Sequence, residues 1–149
     1  MHTRYKYIVL IAWMLLIFFF SSEVADASSG RSAAIIHVIT ESFQISFSEG
    51  LLTFLTRKAA HITLFFVFGA LLYFTLRDHK WGTRRTILLS IIFTLGYAVF
   101  DETHQLFVAG RSAEVRDVLI DTAAGSIGVC MSHGLYKVLH NRSKRNVKV

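Results

Sequence analysis

Half of the acidic side chains of this 149-residue chain lie in residues 96–125, a stretch between two apolar segments. Carboxylates this close to hydrocarbon are costly unless they are paired, so their position needs a physical reason. They could form ion pairs, bind an anionic or amide-bearing ligand together with neighbouring bases, carry protons, or hold a metal. The five acids are Asp101, Glu102, Glu114, Asp117 and Asp121.

Helical spacing predicts which of these side chains share a face. Asp101 and Gln105 are four residues apart, and so are Asp117 and Asp121. Residues three or four apart are neighbours on a helix surface. If the helix before residue 101 continues past that point, Glu102 also emerges at the same height as the other polar groups.

Basic side chains from elsewhere in the chain can balance these acids. Lys58 and His61 share a helix face at the entrance of an earlier apolar segment, while Arg57, Arg111 and Arg116 lie nearby or in the connecting loop. A buried carboxylate requires such a partner. The predicted polar site therefore consists of Lys58, His61, Asp101, Glu102, Gln105, Arg111, Asp117 and Asp121.

Three interpretations of this site remain open: a structural lock between helix ends, a ligand-binding site, and a catalytic site. In the catalytic interpretation His61 is a general base. Alternatively, His61 binds a metal together with Asp101, Glu102, His104 and Asp117. The chain contains neither HExxH nor GxSxG, so neither a zincin nor a serine hydrolase is indicated. No catalytic residue, metal or cofactor is therefore predicted, and enzymatic activity is not favoured.

Four apolar segments must position the site, at about residues 5–22, 57–76, 86–102 and 118–139. The chain is 53% hydrophobic, only 17% charged and free of proline. This composition predicts a single all-α membrane domain, residues 1–149, with four transmembrane helices. The lone cysteine, Cys130, excludes an internal disulfide.

The connection after the first segment predicts an amphipathic surface helix, because apolar residues recur every three or four positions at Ile35, Ile36, Ile39, Phe43 and Phe47. The first segment itself has an alternative. Its basic start and the sequence at residues 25–27, Ala-Asp-Ala, also fit a cleaved signal peptide. We favour an uncleaved anchor.

The distribution of charge predicts the topology. The N-terminal end, the 77–85 loop and the C-terminal end carry eleven Lys and Arg residues and one acid, a net charge of +10. The other side carries five bases and nine acids, a net of −4. The positive-inside rule therefore places both termini in the cytoplasm and the 101–117 loop outside. Anionic lipid accounts for the high isoelectric point, so no nucleic-acid partner is predicted.

Small residues in the fourth segment predict close helix packing. Gly125 and Gly128, with neighbouring alanines, form a thin face that another helix can approach. Gly69 and Gly96 are candidate matching points in the second and third segments.

The combined pattern resembles the VanZ family of small bacterial membrane proteins. The residues that carry the resemblance are Arg57-Lys58-x-x-His61, Asp101-Glu102-x-His104-Gln105-x-Phe107-Val108-x-Gly110-Arg111, Arg116-Asp117 and Asp121-x-x-x-Gly125-x-x-Gly128. The chain departs from the family pattern at Ala109, where a proline usually precedes Gly-Arg.

The resemblance implies a multi-pass protein of the bacterial plasma membrane and cell envelope, with a link to resistance against the glycopeptide teicoplanin. The expected partners are the lipid bilayer and either a lipid-linked cell-wall precursor or a glycopeptide, bound at the extracytoplasmic polar site. The alternatives are a membrane enzyme acting on a lipid-linked or cell-surface substrate, and a structural partner protein.

Overall fold

The computed structural model describes residues 2–22, 49–111 and 113–146, which form four long helices and one short turn. The helices are α1 (His2–Ser21), α2 (Glu49–Leu76), α3 (Thr83–Gln105) and α4 (Val115–Asn146), and a 3₁₀ turn, Arg77–His79, follows α2. Each of the four is long and apolar enough to cross a membrane. The predicted all-helical fold with four candidate spans is therefore confirmed. The amphipathic helix predicted around Ile35 to Phe47 lies outside the described residues.

The helices extend beyond the apolar segments predicted from the sequence. At 1.5 Å per residue, the 20 residues of α1 extend about 30 Å, the thickness of the hydrocarbon layer. With no proline to interrupt it, α3 continues to Gln105, so Asp101 and Glu102 lie in its last turns. Likewise α2 begins at Glu49, which places Lys58 and His61 inside a continuous helix.

Helix α2 is the centre of the bundle, since it packs against all three other helices and most extensively against α4. Glycines allow this approach. A Cβ atom added to Gly69 would collide with the backbone carbonyl of Gly125, and one added to Gly128 would collide with the carbonyl of Phe66. The backbones of α2 and α4 are therefore in direct contact, as expected for small residues at membrane helix interfaces.

Helix α1 is joined to this core by side chains that bond to backbone carbonyl groups. The indole N–H of Trp13 donates to the carbonyl of Leu64 at 2.9 Å. The hydroxyl of Tyr97 on α3 donates to the carbonyl of Met14 at 2.6 Å. Ile17, about one turn further along α1, is fully buried. The same helix therefore ends, at Ser21, beside the last turns of α3.

Polar side chains interact at both ends of the bundle. At one end Lys6 pairs with Asp78 at 2.7 Å, and the guanidinium of Arg77 lies over the ring of Tyr136. The start of α1, the 77–79 turn and the C-terminal half of α4 therefore share this end. The candidate site lies at the opposite end, where α1 and α3 finish and α2 and α4 enter the bundle.

Candidate functional site

A cavity of about 190 Å³ opens at this second end, between α2, α3, α4 and the loop that joins α3 to α4. Seven of the eight residues predicted for the polar site line it: Lys58, His61, Glu102, Gln105, Arg111, Asp117 and Asp121. The eighth, Asp101, is buried beside them, with only 1% of its surface exposed. The structure thus brings together side chains from three helices and one loop.

Asp101 is held in a fixed orientation by two donors. Its Oδ2 atom accepts a hydrogen bond from the hydroxyl of Ser21 at 2.8 Å and one from Nε2 of Gln105 at 3.2 Å. Its Oδ1 atom has no hydrogen-bond partner within the described part of the chain. One oxygen of this buried carboxylate is therefore satisfied, while the other is left without a donor.

Two contacts join α2 to α4 along the cavity wall. Nζ of Lys58 forms an ion pair with Asp117, and Nδ1 of His61 lies 3.6 Å from Oδ2 of Asp121. Lys58 and His61 are three residues apart on α2, and Asp117 and Asp121 are four apart on α4, so each helix presents its two side chains on one face. These two faces oppose each other. Because α2 and α4 are in backbone contact further along, the side chains at this end have little freedom to separate.

Glu102 connects α3 to the start of α4. One of its carboxylate oxygens accepts a hydrogen bond from the backbone N–H of Glu114, the residue before α4 begins. A negative charge at the N-terminal end of a helix is favoured by the helix dipole. Glu102 thus fixes the height of the loop relative to α3.

Arg111 contributes a guanidinium group from the loop. It follows Gly110, whose positive φ of 75° turns the chain towards the cavity. Burial lowers the pKa of Arg111 below its ordinary value, and the nearby Arg57 lowers it further, while Asp101 and Glu102 act in the opposite direction. An arginine remains protonated despite such a shift. Two guanidinium groups therefore repel each other across a cavity that both of them line.

The loop also carries apolar side chains. Leu106 and Phe107 point away from the bundle, and Phe107 is 84% exposed, the largest exposed fraction among the large hydrophobic residues whose exposure the structure describes. Apolar and aromatic side chains at the end of a membrane bundle match the interface between hydrocarbon and head groups.

His104, one of the metal ligands weighed from the sequence, faces α1. Its Nε2 is hydrogen-bonded to Oγ of Ser22 at 3.0 Å, and its ring stacks on that of Phe18 with 4.2 Å between centroids. His104 therefore ties α1 to α3.

Three residues do approach each other closely enough to share an ion. One potential ligand atom from each of His61, Asp101 and Asp121 lies within 4.8 Å of the other two. This set overlaps with the one weighed from the sequence in His61 and Asp101, and differs from it by including Asp121. The spacing of residues 117 and 121 relates those two residues to each other, and gives no sign that Asp121 faces Asp101 on another helix.

Sequence reasoning did not assign a role in the site to Ser21 or Glu114. Ser21 acts through its hydroxyl and Glu114 through its backbone N–H. The signals for Ser21 in the sequence are its position as the first polar residue after an apolar run and the similarity of Phe-Ser21-Ser22 to the VanZ family pattern. A backbone donor leaves no signal in the sequence.

Comparison with known proteins supports the family resemblance. The model of the VanZ/LLP1 family matches residues 6–140, which is nearly the whole chain. The protein belongs to the VanZ/LLP1 family. No curated protein and no solved structure gives a significant match. Family membership and four apolar helices together identify a multi-pass membrane protein of the VanZ/LLP1 type.

Proposed function

We propose that this VanZ/LLP1 member is an envelope protein of the bacterial plasma membrane that binds the phosphate-bearing head group of a lipid-linked cell-wall precursor. By occupying that precursor it would lower sensitivity to teicoplanin. The observation that carries the proposal is the cavity at one end of a membrane bundle, lined by Arg57 and Arg111. Guanidinium groups are well suited to phosphate because they offer several donors in a planar fork.

The two guanidinium groups offer a local site for an anion in a cavity whose lining also carries the carboxylates of Glu102, Glu114, Asp117 and Asp121. Arg57 and Arg111 destabilise each other, and a phosphate between them would relieve that repulsion. Arg57 and Arg111 both line the cavity, so a ligand that enters it can reach both guanidinium groups. Asp101 and Glu102 attract the guanidinium group of Arg111.

The size of the cavity favours one of the two partners that the resemblance implies. Pockets that enclose drug-sized ligands have volumes of roughly 300–1,000 Å³. The cavity of about 190 Å³ is smaller than these, and a glycopeptide antibiotic is larger than an ordinary drug. A phosphate or diphosphate head group fits this space, which favours the precursor over the antibiotic.

The charge of the two ends supports an extracytoplasmic location. The end that holds the start of α1 and the 77–79 turn has the excess of Lys and Arg, and the cavity lies at the other end. The positive-inside rule then puts the cavity outside, where the precursors are used and where glycopeptides act. Both termini would be cytoplasmic.

A second candidate is a membrane enzyme acting on a lipid-linked or cell-surface substrate. The contact between His61 and Asp121 favours it, because a general base is commonly oriented by a neighbouring carboxylate. In this role His61 would activate water towards the bound head group. His61→Gln would then abolish turnover while head-group binding through Arg57 and Arg111 is retained.

Head-group binding can be measured directly with the full chain purified in detergent. The probe is a polyprenyl diphosphate, with the uncharged polyprenol of the same length as its control. We expect binding of the diphosphate only, and a loss of about tenfold or more in Arg111→Gln, since a hydrogen bond to a charged group contributes roughly 1.5–3 kcal/mol. Arg84→Gln, which removes the same charge from the exposed start of α3 at the other end, should bind normally.

The cellular role is tested in a deletion strain exposed to teicoplanin. Expression of the wild type or of Arg84→Gln should restore the lower sensitivity to teicoplanin. Arg111→Gln and Asp101→Asn should not restore it, even at equal protein abundance. Equal binding of the diphosphate and the uncharged lipid would overturn the proposal. A purely structural lock would lower the protein level of Asp101→Asn and leave no separate defect at equal abundance.

A further inference from the structure

We infer that His61, Asp101 and Asp121 form a binding site for one divalent transition-metal ion beneath the cavity. A potential ligand atom of each lies within 4.8 Å of the other two, and they come from three different helices. This site was not predicted from the sequence. It goes beyond head-group binding and does not depend on it, because the ion would be held by protein atoms alone.

The burial of the two carboxylates calls for a counter-charge. Asp101 is 1% exposed and Asp121 is 4% exposed, and both lie inside membrane-spanning helices. Ionised carboxylates buried to this degree are costly unless a cation compensates them. Lys58 forms an ion pair with Asp117, and the positive charge of Arg111 interacts with Glu102 as well as with Asp101. A divalent ion would balance both carboxylates at once.

An unpartnered oxygen points independently to a missing ligand. Oδ1 of Asp101 is buried and accepts no hydrogen bond from the described residues, whereas Oδ2 of the same carboxylate accepts two. A buried acceptor without a partner loses its hydration and gains nothing in return. A metal ion bound to Oδ1 would supply the missing interaction.

Ser21 and Gln105 then have a further role. Ligating carboxylates are characteristically held by hydrogen bonds from neighbouring groups, which fix their orientation towards the metal. The donors Ser21 and Gln105 both reach Oδ2, so they hold Asp101 with its other oxygen available. An α1 residue thereby supports a ligand on α3.

The donor set indicates the class of metal. One imidazole nitrogen and two carboxylate oxygens suit Mn²⁺ or Zn²⁺, while Ca²⁺ and Mg²⁺ prefer oxygen ligands alone. With metal–ligand distances near 2.1 Å, neighbouring ligand atoms lie about 3.4 Å apart around a tetrahedral ion and about 3.0 Å apart around an octahedral one. Nδ1 of His61 and Oδ2 of Asp121 are 3.6 Å apart, and inward movements of the three side chains from within the 4.8 Å limit would complete the site. Three protein ligands leave coordination positions for water or a phosphate oxygen.

The test measures binding of Mn²⁺ or Zn²⁺ alone to the full chain, stripped with chelator and purified in detergent without lipid. We expect about one ion per chain, with an affinity at least tenfold higher than that for Mg²⁺ or Ca²⁺. Asp121→Asn and His61→Gln should each lose tenfold or more. The matched controls are Asp78→Asn and His133→Gln, which make the same replacements away from the cluster and should keep the wild-type affinity.

A second readout needs no variant that could misfold. Mn²⁺ should broaden the ring proton resonances of His61 and leave those of His133, which is bonded to Tyr73, unchanged. Absence of stoichiometric binding, or equal broadening of both histidines, overturns the metal site. Neither result bears on head-group binding, which is measured separately with Arg111→Gln and a metal-free sample.

Discussion

The hydroxyl of Ser21, at the last residue of α1, donates a hydrogen bond to Asp101 of α3, which is 80 residues further along the chain. This bond is fully buried and joins the first helix to the acidic end of the bundle. It makes α1 part of the site, in addition to its packing role through Trp13 and Ile17.

Replacing Ser21 by alanine should therefore destabilise the bundle. The substitution removes a donor from a buried carboxylate, which costs about 1–3 kcal/mol. Chemical denaturation of the purified protein in detergent measures the change in the free energy of unfolding. Thr63→Ala is the control, because the Thr63 hydroxyl is exposed and bonds only within its own helix. Equal effects of the two substitutions would contradict a specific role for the Ser21 bond.

The ion pair between Lys58 and Asp117 should show energetic coupling. Removing Lys58 leaves Asp117 with the longer contact to Arg116, at 3.9 Å, and removing Asp117 leaves the partly buried Lys58 without this carboxylate. Lys58→Ala and Asp117→Ala should therefore each lower the free energy of unfolding. The double variant should lose less than the sum of the two, with a coupling of roughly 0.5–3 kcal/mol. Additive losses in this double-mutant cycle would show that the pair contributes nothing.

Replacing two glycines of the bundle by alanine should change its stability in opposite directions. Gly128→Ala places a methyl group against the carbonyl of Phe66, which forces α2 and α4 apart and costs about 1–3 kcal/mol. Gly96→Ala meets nothing within 4 Å and should stabilise α3 by up to about 1 kcal/mol through helix propensity. Thermal unfolding of the two variants side by side measures both effects. A loss in Gly96→Ala as large as that in Gly128→Ala would refute the close contact.

The topology can be tested by cysteine labelling in whole cells. The free Cys130 is first replaced by serine, because it is exposed. Ala109→Cys in the cavity loop should react with a membrane-impermeant maleimide in intact cells, while Thr83→Cys at the other end should react only after permeabilisation. The reverse pattern would place the cavity in the cytoplasm and remove the basis for its contact with extracytoplasmic precursors.

The sequence predicted the four helices because their apolar runs are long and their charges are confined to the ends. Local spacing also related Lys58 to His61 and Asp117 to Asp121, and the structure places these two pairs against each other. The three-residue cluster was not predicted. The contact of Asp101 with Ser21 and its approach to Asp121 depend on how helices cross, and no periodicity within one helix reports that.

Phe107 bears on how a ligand would reach the cavity. Its ring is 84% exposed on the same loop that supplies Arg111, so in a bilayer it would settle among the lipid head groups, which are those of the outer leaflet in the proposed topology, and hold the cavity at that depth. A ligand with a polyprenyl tail would then arrive by lateral diffusion within the leaflet. The occupancy of the site would follow the number of precursor molecules per unit area of membrane, and a water-soluble head group without its tail would compete poorly.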